Sequence, residues 1–123
     1  MAKEDVEEHL MLASVGIAGA GGLGSNVAMA LARAGVGHLV IVDFDIVEEK
    51  NLTRQYFFRD QVGELKVDAL KKNIDRAIRG VRVDAVNRRL VPGKMAEPFK
   101  KVDVVVEAMD NAEAKAQFIE EIL

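Results

Sequence analysis

The chain has 123 residues, half of them hydrophobic, and a formal net charge of −3, so one domain with its own core is expected and no bulk field draws it to nucleic acid or an anionic membrane. Cysteine is absent, which excludes disulfides, thiolate zinc sites and a covalent thiol intermediate on these residues. The acidic N-terminal stretch is unlike a secretory signal, and no uncharged run reaches the ~18 residues that cross a bilayer, so a soluble cytoplasmic protein without membrane contact is expected.

In chain order, "KEDVEEHLML" places Val6, His9 and Leu10 at helical spacing, which predicts a short amphipathic helix with His9 as a half-buried packing residue rather than a ligand. "SVGIAG" reads as a buried strand entering a glycine turn. Leu23 to Ala34 reads as a helix stopped by Gly35, with Ala28, Ala30, Ala32 and Ala34 small enough to let it lie close on a sheet. "HLVIVDF" is a continuous β-branched run, the composition of a parallel strand covered on both faces, and it completes a βαβ unit. Residues 46–63 read as irregular, with Tyr56, Phe57 and Phe58 as a hydrophobic plug anchoring the loop. From Glu64 to Arg79 a stripe of Val67, Leu70, Ile74, Ala77 and Ile78 predicts a helix, and Gly80 a stop. "VRVDAVNRRL" alternates like a strand, Pro92 to Lys100 allows a short helix, and "VDVVVEAM" reads as another buried strand.

A last helix is predicted from near Asn111 to Leu123; its apolar "FIEEIL" end lacks a cap or a visible partner, and suggests the N-terminal part of a larger sheet. Lys71, Lys72, Arg76, Arg79, Arg82, Arg88 and Arg89 crowd the middle of the chain and read as a solvated face. The expected architecture is α/β and Rossmann-like, a mostly parallel sheet with helices on both faces, forming one nucleotide-binding domain over residues 1–123.

Chemistry concentrates in "GAGGLGS". Gly19, Gly21 and Gly24 fit G-x-G-x-x-G after an apolar strand and before a helix, and Asp43 follows at the ~20-residue distance of a ribose acceptor. That fingerprint names NAD first. A second glycine at Gly22 widens the backbone cradle, Asp45 adds a second acid, and Asn51, Arg54 and Lys66 are polar groups that a hydride-transfer site does not require. They suit a triphosphate, since arginine grips phosphate oxygens bidentately, lysine acts as a point charge, and acids among phosphates imply Mg²⁺. Blander roles are also open: Arg54 in a surface ion pair, Asn51 as a turn former, Lys66 as an ordinary first-turn residue.

Four blocks, "GAGGLGS", "IVDFDIVEEKNLTRQYF", "VGELKVDAL" and "VVVEAMDN", stand in an order and spacing that resemble the ThiF/MoeB superfamily across Gly16 to Gln117. That superfamily includes the activating enzymes of ubiquitin-like proteins, and within it the chain is similar to the short ThiF-type proteins of thiamine biosynthesis. The resemblance implies an adenylyltransferase that uses ATP and Mg²⁺ to adenylate the C-terminal carboxylate of a ubiquitin-like sulfur carrier protein, releasing pyrophosphate, and a homodimer. It assigns Gly19, Gly21, Gly22 and Gly24 to the phosphate turn, Asp43 to the ribose, Asn51, Arg54 and Lys66 to the phosphates, and Asp110 to the metal. Catalysis would then rest on Arg54, Lys66 and Asp110, by positioning and neutralising charge. Asp110 or Asn111 has a rival role as N-cap of the final helix. No arginine precedes Arg33 and no cysteine occurs, so the N-terminal arginine, thiol and CxxC zinc pairs of some relatives have no counterpart here. An NAD-dependent oxidoreductase and a non-catalytic ATP-binding fragment or subunit are the competing readings.

Overall fold

The computed structural model describes residues 2–123. Four strands, β1 (Ser14–Ala18), β2 (His38–Asp43), β3 (Arg82–Asn87) and β4 (Val104–Glu107), form one sheet in the order β3-β2-β1-β4. All pairings are parallel, with Ile17 beside Ile41 and Val106, and Ile41 beside Ala85. β1 and β2 are the inner strands, which is why their sequences are apolar on both faces.

The strand period of two sorts these side chains into two cores. On one face Val15, Ile17, Leu39, Ile41 and Val83 pack with Ala28, Met29 and Ala32 of α2 (Gly22–Ala34) and with Val67, Leu70 and Ile74 of α3 (Lys66–Ala77). On the other, Ala18, Val40 and Val42 meet Met95, Phe99 and Phe118, the last from α4 (Ala112–Ile122). Phe99 and Phe118 stack edge to face with ring centroids 5.7 Å apart. The result is the expected Rossmann-like sheet with helices on both faces. Fully burying one Ile or Leu contributes ~1.5–3 kcal/mol, so the first face carries most of the apolar stabilisation.

α2 ends at Gly35, whose φ of 105° provides the left-handed cap, with Val36 N–H returned to Leu31 O. α3 is two residues shorter at each end than the stripe suggests. Leu65 and Ile78 are extended, and Ala77 is exposed. The stretch from Pro92 to Lys100 contains only a 3₁₀ turn, Glu97–Phe99. Glu121 of α4 accepts from Gly93 N–H (2.8 Å) and Met95 N–H (3.0 Å). Those bonds, after that from Gln117, hold its carboxyl below the usual range.

Three expectations are corrected. α1 (Lys3–Leu12) has no buried residue, and His9 is exposed, its Nδ1 2.6 Å from Asp5 O within the helix, so it is not a packing residue. Spacing showed which residues share a helix face, not whether a neighbour covers it. β4 is an edge strand with Val104 57% exposed, because among the described residues only β1 lies beside it. In the aromatic triplet Phe57 is buried at 5%, whereas Phe58 is 51% exposed, so the plug is chiefly one ring. The basic residues are a solvated face as expected: Lys71, Lys72, Arg82 and Arg88 pair with Asp75, Glu64, Asp84 and Glu97. No helix among the described residues is long and apolar enough to cross a membrane.

Candidate nucleotide site

The site lies at the carboxyl edge of the sheet, where β1 turns into α2. Gly19 has φ +109°, and a Cβ there would stand 2.8 Å from Ala108 O, so both backbone conformation and space demand glycine. A Cβ on Gly24 would fall on the carbonyl oxygen of Gly19, so this glycine lets α2 pack against the end of β1. Gly21 is the N-cap of α2 and makes no side-chain cap, which leaves the first-turn N–H groups to an outside acceptor. The open side of the turn faces side chains: Arg54 Nη1 is 3.3 Å from the Cβ position of Gly22, and Gln55 Nε2 is 3.6 Å from that of Gly21.

Asp43 ends β2 beside this turn. One carboxylate oxygen accepts from Ala20 N–H at 2.7 Å and the other from Asp45 N–H at 2.8 Å. Each oxygen keeps a second lone pair, so the carboxylate braces the turn and can still accept from a hydroxyl. Asp45 is exposed, and its backbone carbonyl accepts from Lys66 N–H at 2.9 Å, which fixes the start of α3 against the end of β2. Lys66 is buried at 7% exposure and makes no ion pair among the described residues. Arg54 is exposed and likewise has no ion pair among them, which removes its surface-pair role. The Arg54 guanidinium over the glycine turn, without a carboxylate partner among the described residues, is a cation that a bound anion would complete.

Asn51 is buried at 5%, and its Oδ1 accepts from Glu48 N–H at 2.8 Å. The turn-former role is therefore real, with Nδ2 the end left to donate elsewhere. Asp110 is exposed beyond β4 and its side chain makes no hydrogen bond among the described residues. The cap of α4 falls to Asn111, whose Oδ1 accepts from Ala114 N–H at 3.0 Å. No three His, Cys, Asp or Glu residues gather to hold a metal among the described residues. A single free carboxylate suits a Mg²⁺ that takes its other ligands from phosphates and water, as that ion usually does.

Three residues outside the fingerprint join the site. Ser25 Oγ donates to Gly21 O at 2.5 Å and accepts from Tyr56 N–H at 3.0 Å. Asn26 Nδ2 donates to Gly22 O at 2.7 Å and to Arg54 O at 2.9 Å. Gln55 is buried, and its Oε1 has no hydrogen-bond partner among the described residues. The one signal for Asn26 was an asparagine inside a helix that its intrinsic preference disfavours.

The ThiF family profile matches residues 1–120. The chain is 41% identical over 106 residues to a sulfur carrier protein adenylyltransferase of Thermus thermophilus, covering 85% of this chain and 39% of that protein. It is 34% identical over 114 residues to a molybdopterin-synthase adenylyltransferase of Haemophilus influenzae, covering 92% and 47%. Among solved structures, the E. coli tRNA N6-threonylcarbamoyladenosine dehydratase TcdA in complex with ATP superposes with a TM-score of 0.91 at 31% identity, covering 96% of this chain and 49% of that one. E. coli MccB with ATP gives 0.88 at 27% identity, with 95% and 36% covered. The chain thus spans between about a third and a half of these proteins' length. With a family match over nearly all its residues and the glycine turn, Asp43 and Arg54 at one edge of the sheet, the chain belongs to the ThiF family.

Proposed function

We propose that this chain binds ATP–Mg²⁺ and supports adenylation of the C-terminal carboxylate of a ubiquitin-like sulfur carrier protein, with pyrophosphate as the leaving group. The observation that carries the reading is the Arg54 guanidinium, without an ion pair among the described residues and 3.3 Å from the Cβ position of Gly22. A guanidinium over the turn suits a triphosphate, which carries more negative charge than the pyrophosphate of a dinucleotide. The names of the Thermus and Haemophilus relatives support the reaction class, and the ATP complexes of TcdA and MccB support the nucleotide.

In this reading Gly19, Gly21, Gly22 and Gly24 let the triphosphate approach the α2 N-terminus, Asp43 accepts from the ribose, and Asp45 orders the start of α3. Asn51 Nδ2, Arg54 and Lys66 hold phosphate oxygens. The carrier carboxylate is an adequate nucleophile without a base: its oxygen bonds to the α-phosphorus as the bond to the β-phosphate bridge breaks and pyrophosphate leaves with the electron pair. Arg54 and Lys66 neutralise the charge that grows on the leaving group. Asp110 would hold Mg²⁺, which supplies charge neutralisation at the phosphates. The protein acts in the cytoplasm as a homodimer and needs neither nucleic acid nor membrane; a carrier of the thiamine type is the favoured partner.

Pyrophosphate exchange into ATP, with and without a ubiquitin-fold carrier ending in a free carboxylate, tests the reaction. Exchange should require the carrier and vanish when its terminal carboxyl is amidated. ATP turnover indifferent to amidation contradicts the assignment.

A further inference from the structure

Arg54 is exposed in a long irregular connection, yet its guanidinium stands over the glycine turn. The backbone on either side of Gln55 is tied to the first part of α2. Asn26 uses both protons of one amide nitrogen, one on Gly22 O (2.7 Å) and one on Arg54 O (2.9 Å). Ser25 bridges in the same way, donating to Gly21 O (2.5 Å) and accepting from Tyr56 N–H (3.0 Å). Two adjacent residues therefore clip residues 54 and 56, on either side of Gln55, to the carbonyls of Gly21 and Gly22. Neither belongs to the glycine pattern. Asn26 is exposed in a helix, where asparagine is locally unfavourable, so its tertiary bond is the physical reason for it.

We propose that Ser25 and Asn26 are positioning residues that hold the backbone of Arg54 so that its guanidinium is in place over the phosphate turn before the nucleotide arrives. The proposal rests on the phosphate role given to Arg54 above and adds two residues that act through it. Ordering the arginine in advance removes an entropic cost from binding and from the transition state.

A double-mutant cycle on the full chain, reading ATP–Mg²⁺ affinity by calorimetry, tests it. Asn26→Ala should weaken binding about three- to tenfold, the size of one to two ordinary hydrogen bonds, with the melting temperature unchanged. Asn26→Asp, of the same shape but without the donor, should fall with it. In an Arg54→Ala background Asn26→Ala should have no further effect, because its influence passes through the arginine. For Ser25→Ala, faster hydrogen exchange at the Tyr56 amide should accompany weaker ATP binding. An equal loss from Asn26→Ala with and without Arg54 overturns the proposal, as does unchanged affinity in both single variants. Absence of ATP binding by the unmutated chain overturns the nucleotide reading itself, and is seen before any variant is made.

Discussion

At the scale of single residues three ionisable side chains have different tasks in the proposed reaction. Asp43 already braces the turn through Ala20 and Asp45 N–H groups, so its carboxylate is aimed before any ligand binds. A charge-assisted bond to ribose is worth ~1.5–3 kcal/mol, and Asp43→Ala should weaken ATP by about ten- to a hundredfold in a binding titration. A smaller loss than threefold contradicts its ribose role. In the proposed reading Lys66, buried and without an ion pair among the described residues, neutralises charge as pyrophosphate leaves, so Lys66→Ala should lower kcat far more than it raises KM in pyrophosphate exchange. A change confined to KM makes it a docking residue. For Asp110 the capping alternative is settled, since Asn111 is the cap. Asp110→Asn should leave the melting temperature in place while Mg²⁺-dependent ATP binding collapses, because a hard cation needs the carboxylate charge. Lower melting with normal ATP–Mg²⁺ binding would reverse that assignment.

At the scale of elements, the amino edge of the sheet is tied across three strands, opposite the nucleotide edge. His38 of β2 bonds Ser14 Oγ of β1 through Nδ1 and Asp84 of β3 through Nε2 at 2.7 Å. The hydrogen bond from His38, with help from Arg82 and against partial burial, holds the Asp84 carboxyl below its usual range. A carboxyl lowered in the folded state contributes stability that is complete above its unfolded pKa, about 3.9 for Asp, and is lost as pH falls through the folded value. Urea unfolding midpoints measured from pH 6 down to pH 2.5 should therefore fall more steeply for the unmutated chain than for Asp84→Asn. Parallel curves would mean that the tie contributes nothing. The same scale explains the brace at α4, where Glu121 closes the 93–95 loop against the helix and seats Met95 and Phe118 in one core.

At the scale of the whole molecule, local patterns gave away what local physics determines. The β1–turn–α2–β2 unit was legible to within a residue, because continuous β-branched runs and glycines at fixed offsets leave few alternatives. Fingerprint positions Gly19, Gly21, Gly22 and Gly24, with Asp43, fall on one edge for the same reason, and the Arg54 guanidinium stands beside Gly22 there. Coverage was not legible. The spacing of Val6, His9 and Leu10 marked a face of α1 of which only Leu10 packs against the core, and "VDVVVEAM" did not reveal that β4 is an edge. Ser25, Asn26 and Gln55 were missed because their value lies in contacts to residues about 30 positions away or to the turn across the loop, which no periodicity records. In the proposed reading this edge is built for a triphosphate rather than a dinucleotide. Calorimetric titration of one sample with ATP–Mg²⁺ and with NAD tests it most directly. The account predicts ATP–Mg²⁺ binding at least tenfold tighter than NAD, the gap that a charge-assisted phosphate contact supplies at about 1.4 kcal/mol; equal affinities, or tighter NAD, would contradict it.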